Sequence, residues 1–282
     1  MRTAAGLITV ARTAADPQVV VVRIDGLESS ALHLGDPTVL DFEYMELMSR
    51  ILGVVRPTGP VRALHLGGAG CALPRAWAAL RPGSRQLVAE VDADVAHLAR
   101  QWFDLPRSPE LRIRVGDAAD VVRAQRPGRF DVVVRDAFVR GQVPCHLRTA
   151  EFVADVHAAL APGGLYLANL AEGGPLRYTR AELATLATAF THLALVTDPA
   201  ILSGRRQGNI VLVASDAPLV AADLDRAMRS FPLPIRVLGD GEARAMTRGV
   251  RPLRVPQPPD GPASPDGPIS SASPASPLSA RP

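Results

Sequence analysis

Three carboxylates stand near the ends of short apolar runs: Glu90 in RQLVAEVD (85–92), Asp117 in LRIRVGD (111–117) and Asp136 in FDVVVRD (130–136). A fourth run, VRALHLG (61–67), leads instead into Gly67-Gly68-Ala69-Gly70 and then a helix-like pattern from Cys71. Such groups suit nucleoside recognition. The glycines let backbone pass close to a ligand, and a helix starting near Cys71 aims unpaired N–H groups at it. Glu90 follows the turn at roughly the ~20-residue interval at which an acid meets ribose hydroxyls in dinucleotide folds, and one carboxylate accepts from both hydroxyls. Asp117 is placed to accept from the exocyclic amine of an adenine. G-x-G-x-x-G is not intact, because Gly68-Ala69-Gly70-Cys71-Ala72-Leu73 ends in leucine. Nothing in the turn favours a pyrophosphate over another adenosine-containing ligand.

These positions acquire meaning from the elements around them. From Val61 onward, strand-like runs alternate with helix-like ones. Further strands are predicted at GLYLANL (164–170), HLALVTD (192–198) and GNIVLVAS (208–215). Helices are predicted in CALPRAWAAL, ADVAHLARQWF, AADVVRAQ, TAEFVADVHAAL and TRAELATLATAF. Strands apolar almost throughout, alternating with helices, imply a parallel sheet covered on both faces. The link 199–207 is too short for a crossover, so the last two strands should pair antiparallel. In such a sheet ligands bind outside the carboxyl ends of the strands, where Glu90, Asp117 and Asp136 fall. Asp92 and Asp120 read as helix caps.

Four regions are expected. Residues 1–17 read as a flexible N-terminus and 18–44 as a small β domain, with VVVVRID and SSALHLGD as a hairpin. Residues 45–250 read as the nucleoside-binding domain, and 251–282, rich in Pro, Ser and Ala, as a disordered tail. With 47% hydrophobic residues the chain can bury a substantial core. All its basic residues are arginines, scattered around a formal charge of +3, which argues against a nucleic-acid partner. No apolar run reaches the ~20 residues that cross a bilayer, and MRTAAGLITVARTAADPQ is a poor signal peptide; a cytoplasmic protein is expected. Cys71 and Cys145 are too few for a disulfide framework. The six histidines show no spacing for a metal site, and no metal is expected. His65 reads as a hydrogen-bonded core residue, Trp77 and Trp102 as packing residues, and Arg205 and Arg206 as a solvated turn.

A parallel sheet closed by an antiparallel seventh strand, with acids ending strands two to four, resembles the Rossmann-like fold of AdoMet-dependent transferases. The segment from about 20 to 215 resembles more closely the spermidine synthase (polyamine aminopropyltransferase) family and its bacterial spermidine synthase-like branch. The matching pieces are RIDG (23–26), EYMELM (43–48), LHLGGAGCALPRAW (64–77), AEVDADV (89–95), VGDAADVV (115–122), FDVVVRDAF and VPCHLRTAEF (143–152). The resemblance implies that Gly67, Gly68, Ala69 and Gly70 cradle the methionine-derived arm of the nucleoside. It places Glu90 on the ribose and Asp117 with Ala118 on the adenine. Asp136 matches the first acid of the family's D-x-x-D loop, which orients and deprotonates the attacking amine, and Tyr44 the substrate-pocket tyrosine; Asn169 is a further candidate for the acceptor pocket, as is Tyr178. Three positions depart from the pattern. Gly70 stands where the family's first turn carries an aspartate, Val139 where D-x-x-D has its second acid, and Ser29 where a glutamine is expected. These changes remove polar groups where a polycation binds, and a cationic amine leaving water needs paired carboxylates.

The resemblance implies aminopropyl transfer from decarboxylated S-adenosylmethionine, as co-substrate, to a small-molecule amine. Two alternatives stand beside it: methyl transfer from S-adenosylmethionine itself, and a catalytically silent member that binds a nucleoside or a partner. The resemblance also implies a possible homodimer formed through the first domain.

Overall fold

A computed structural model describes residues 1–256. The helices and strands follow the expected alternation. A small antiparallel sheet comes first, from β1 (Ile8–Arg12), β2 (Val19–Ile24) and β3 (Leu27–His33). After α1 (Glu43–Val55) the chain enters β4 (Arg62–Leu66), α2 (Ala72–Leu80), β5 (Arg85–Glu90), α3 (Ala93–Trp102), β6 (Leu111–Val115) and α4 (Ala118–Arg123). It continues with β7 (Phe130–Arg135), α5 (Ala150–Ala159), β8 (Leu160–Glu172), α6 (Arg177–Leu186), β9 (His192–Thr197), α7 (Pro199–Leu202) and β10 (Gly208–Ser215). α8 (Ala221–Met228), β11 (Arg236–Leu238) and α9 (Asp240–Met246) complete the described elements.

The large sheet has the order β11-β9-β10-β8-β7-β4-β5-β6. β4, β5, β6, β7 and β8 pair in parallel, while β10 lies antiparallel between β8 and β9. Seven strands were expected; the short β11 adds an eighth on the edge beside β9. The apolar strands are explained by their two faces. Val132 and Val134 of β7 enter one core with Met48 and Trp77, whereas Val133 enters the other with Phe152 and Leu183. Crossing from β4 to β7 reverses the direction in which strands are added, which opens a crevice beside the carboxyl end of β4.

The first seventeen residues differ from expectation. Residues 8–12 form β1, paired with β2 from Ile8↔Ile24 to Arg12↔Val20. The segment ahead of it is fastened by side chains: Asp25 accepts from Leu7 N–H at 2.7 Å, and Asp92 from Ala5 N–H at 2.6 Å. Nor is the small sheet set apart, since Ile8, Val20, Val22 and Leu32 share one core with Tyr44, Met48 and Trp77. The first part of the expected disordered tail is also fastened. Leu253 accepts from Ala150 N–H at 2.8 Å and donates to Thr185 Oγ1 at 2.9 Å; residues 257–282 lie outside the described residues. Among the described residues no helix is long and apolar enough to cross a membrane.

Candidate active site

The glycine turn is built against the carboxyl edge of the parallel strands. Gly67 has φ +100°, and a Cβ there would stand 2.2 Å from the carbonyl oxygen of Asp136. The ends of β4 and β7 are pinned by Asp136 N–H donating to Leu66 O at 2.8 Å. Ala69 and Cys71 also take left-handed backbone, φ 41° and 60°, so α2 begins immediately after a sharp bend. Cys71 supplies no side-chain cap to that helix. Burial pushes its thiol up to about 12, which leaves it an inert packing group; Cys145, in contrast, is exposed.

Glu90 ends β5 and turns back onto the bend. Its Oε2 accepts from Gly68 N–H at 3.1 Å and Ala69 N–H at 2.9 Å, and its Oε1 from Asp92 N–H at 3.1 Å. The acid therefore shapes the turn. A Cβ at Gly68 would collide with Val88 Cγ1 at 2.6 Å, on the same strand as Glu90. At Gly70 the space a side chain would need is filled by Leu32 Cδ1 at 2.7 Å and Ser30 Oγ at 2.8 Å from β3. The missing acid at this position thus has a physical counterpart: the small sheet packs where its side chain would go.

One strand further out, Asp117 caps α4 by accepting from Ala119 N–H at 2.8 Å, and its second oxygen lies 2.9 Å from His146 Nε2. Asp117, not Asp120, is thus the cap of this helix, while Asp92 caps α3 as expected. Burial alone would raise the Asp117 carboxyl, but the His146 ring and the Ala119 amide hold it below the usual carboxylate value. The Asp117 side chain caps only the Ala119 amide, which leaves the Ala118 N–H at the helix start as a donor beside the Asp117 acceptor. That pair matches N1 and the 6-amino group of an adenine.

Asp136 follows β7 and is partly buried. Tyr44 O–H donates to its Oδ2 at 2.7 Å, and Asn169 Nδ2 to its Oδ1 at 2.9 Å. Burial raises this carboxyl above its ordinary 3.8, against the pull of Asn169, Tyr44 and the neighbouring Arg135. Burial likewise drives the Tyr44 hydroxyl well above 10.0, keeping it a donor. Two buried polar atoms in this neighbourhood have no partner among the described residues, the Asn169 Oδ1 acceptor and the Ser30 hydroxyl. An unsatisfied buried polar atom costs about 1–3 kcal/mol, and a bound polar ligand would relieve it.

The sequence-predicted residues therefore form two joined groups. Tyr44, Asp136 and Asn169 are directly hydrogen bonded; the turn and Glu90 form the second group, joined to the first at Gly67. Asp117 and Ala118 flank the turn through the β5–β6 pairing, where Gly116 N–H donates to Glu90 O at 2.9 Å. His146 and Ser30 were not anticipated. His146 has no helical or strand periodicity to mark it, and Ser30 differs from its neighbour Ser29 only in facing inward.

Other side chains settle into structural roles. His65 is buried, 2.9 Å from Gln86 Oε1, and burial lowers it to about 4. Trp77 packs in the core, but Trp102 is 40% exposed, contrary to its expected role. Tyr178 is 54% exposed beneath the Arg148 guanidinium, 4.8 Å from the ring centre. Arg206 is paired with Asp198 at 2.8 Å and Glu43 at 3.4 Å. Among the described residues no group of three or more His, Cys, Asp or Glu is arranged to hold a metal ion.

No family model matches the chain. A solved structure described as a probable spermidine synthase from Corynebacterium glutamicum is 33% identical, covers 95% of this chain and 98% of its own, and superposes with a TM-score of 0.85. The chain belongs to the spermidine synthase family. Its large sheet is accordingly the Rossmann-like AdoMet-dependent transferase fold, with a small antiparallel N-terminal sheet added. A spermidine synthase solved with the transition-state analogue AdoDATO is more distant, with 18% identity, 85% coverage of this chain, 84% of its own and a TM-score of 0.59. Polyamine aminopropyltransferase of Vibrio vulnificus is 32% identical over 130 residues, 45% of this chain and 43% of that protein. The chain spans about half the length, or less, of the curated relatives it matches.

Proposed function

We propose that this spermidine synthase family member transfers an aminopropyl group from decarboxylated S-adenosylmethionine to a small-molecule amine, a reaction of polyamine synthesis. One observation carries the reading: Asp136, whose partly buried carboxylate has a raised proton affinity and is held by Tyr44 and Asn169, packs its backbone carbonyl against Gly67 of the glycine turn. The nitrogen lone pair of the acceptor attacks the carbon beside the sulfonium. The carbon–sulfur bond breaks, its electron pair stays on sulfur, and methylthioadenosine leaves. Asp136 takes the proton that the acceptor gives up.

The residues divide the work by position. Glu90 faces the ribose hydroxyls, Asp117 and the Ala118 amide the adenine edge, and residues 67–70 the sulfonium arm. Asn169, through its unpartnered Oδ1, and Tyr44 line the acceptor side. Holding two reactants in line supplies much of the rate, and a positioned base a further ~10²–10⁴-fold. A homodimer through the N-terminal sheet and a cytoplasmic setting belong to the same proposal.

Mass spectrometry of a reaction with decarboxylated S-adenosylmethionine and a panel of amines tests it, the expected product being heavier by one aminopropyl group. Calorimetric titration separates the donors. Tight binding of S-adenosylmethionine in place of its decarboxylated form would move the chemistry to methyl transfer. Methylthioadenosine binding without conversion of any amine would mark a silent member.

A further inference from the structure

Acceptor choice is inferred on the basis of the proposed aminopropyl transfer, which fixes where an acceptor enters. With the nucleoside over β4, β5 and β6, the acceptor approaches across the carboxyl ends of β7 and β8 and the amino end of β10, which runs antiparallel beside β8. Three segments cover that edge: residues 137–149 after β7, 173–181 after β8 and 199–207 before β10. They touch one another. The Arg148 guanidinium lies over Tyr178, and a Cβ at Gly204 would stand 3.1 Å from Gly174 Cα. None of the three contains an aspartate or glutamate, and together they carry Arg140, Arg148, Arg177, Arg180, Arg205 and Arg206.

The acids around this rim are already committed to the protein. Glu172 accepts from the amides of Tyr178 and Thr179 at 2.8 and 2.7 Å and from the Thr179 hydroxyl at 2.6 Å. Glu182 lies 2.6 Å from both Arg135 and Arg148. Asp198 and Glu43 share Arg206. Among the described residues, Asp136, bound by the neutral donors of Tyr44 and Asn169, is the acid that the proposed reaction sets against the amine. By contrast Arg140, Arg177 and Arg205 are exposed and make no ion pair among the described residues.

We propose that the acceptor carries one reactive amine and an anionic group at its far end, in place of the second ammonium of a diamine. A remote ammonium would leave water to meet arginines, with no carboxylate to pair it. A remote carboxylate or phosphate would meet guanidinium groups whose donors suit it. The cationic rim also favours the encounter with an anion-bearing acceptor and disfavours a dication, an effect that weakens with salt.

Three four-carbon amines that differ only at the far end decide the matter: 4-aminobutanoate, butylamine and 1,4-diaminobutane. Each is titrated calorimetrically into full-length protein loaded with methylthioadenosine, and each is offered as acceptor with decarboxylated S-adenosylmethionine. 4-Aminobutanoate should bind at least ten-fold more tightly than 1,4-diaminobutane, with butylamine between them, and kcat/KM should follow the same order. The double variant Arg140→Glu/Arg177→Glu should reverse the order while methylthioadenosine affinity stays within two-fold. Preference of the unaltered protein for 1,4-diaminobutane overturns the proposal while leaving aminopropyl transfer intact. Equal binding of all three, binding of none, or an unchanged order in the folded double variant overturns it as well. Failure to bind methylthioadenosine at all would instead remove the underlying function, and the acceptor preference with it.

Discussion

Gly67→Ala probes how the turn and the proposed base are built into one another. An added Cβ would stand 2.2 Å from the Asp136 carbonyl oxygen and 2.7 Å from its carbonyl carbon, and φ is +100°. Both neighbours are backbone atoms, so no rotamer change relieves the overlap. Left-handed backbone costs an L-residue about 1–2 kcal/mol. Forcing the β4 and β7 ends apart resembles overpacking, at about 1–3 kcal/mol. Together these give about 2–5 kcal/mol, a large share of the ~5–15 kcal/mol that holds a typical domain folded. Two controls separate the contributions. Gly59 has φ +83° with nothing within 4 Å of its Cβ position, so Gly59→Ala reports the backbone cost alone. Gly70→Ala meets only the side chains of Leu32 and Ser30, which can rotate, and the expected loss is below about 2 kcal/mol. Urea unfolding of the three variants, with methylthioadenosine titration of each, makes the comparison. If Gly67→Ala is no more destabilised than Gly59→Ala, the close approach of turn and acid is refuted.

Three other substitutions test the site. Asp136→Asn should abolish aminopropyl transfer and leave nucleoside binding nearly unchanged; full activity in this variant would remove Asp136 as the base. Because burial raises the Asp136 carboxyl above 3.8, the folded state binds this proton more tightly than the unfolded chain. The resulting stability is complete below 3.8 and is lost as pH rises through the folded value. Asp136→Asn should therefore be the more stable protein at pH 7, with a flatter stability profile above pH 3.8, as read by thermal unfolding across pH. Glu182→Ala leaves the buried guanidinium of Arg135 and the partly buried one of Arg148 without their shared partner. A loss of about 3–5 kcal/mol is expected in urea unfolding, and a loss under about 1 kcal/mol would contradict the burial of that cluster. His146→Ala removes a donor that holds the Asp117 carboxyl down; methylthioadenosine binding should weaken more below pH 5 than at pH 7, and a pH-independent effect would count against it.

What was legible in the sequence is what the sheet writes in long runs. β7 and β8 bury both faces, so their apolar residues mark them unmistakably and place Asp136 and Asn169 near their ends. β1 has no such mark. Only Ile8 of its five residues is buried, so neither alternation nor an apolar run distinguishes ITVAR from a loose terminus, and its order comes from pairing with β2 and from Asp25 and Asp92. β11, three residues long, is equally silent. The Tyr44–Asp136 bond spans 92 residues and is reached through family resemblance, not spacing. His146 lies in a single 3-10 turn, Cys145–Arg148, whose path depends on the Arg135–Glu182–Arg148 cluster, with Arg135 Nη1 also donating to Leu147 O at 2.9 Å. No periodicity encodes such a path.

Residue type alone gives the three strand-end acids interchangeable chemistry; their surroundings do not. Glu90 receives three backbone amides, Asp117 one amide and an imidazole, and Asp136 only a phenol and a side-chain amide. Asp117 is held below the usual carboxylate value while Asp136 is raised above it. Environments that push two acids apart assign their roles. An acid stabilised as an anion is a poor proton acceptor and a good fixed acceptor of hydrogen bonds, as an adenine amine requires. An acid whose charge is disfavoured by burial gains from taking a proton, as the base in aminopropyl transfer must. Two protein donors reach each of these two carboxylates, so what separates them is not donor number but the balance between burial and the groups that offset it, with a histidine ring and a backbone amide prevailing at Asp117 and burial prevailing at Asp136.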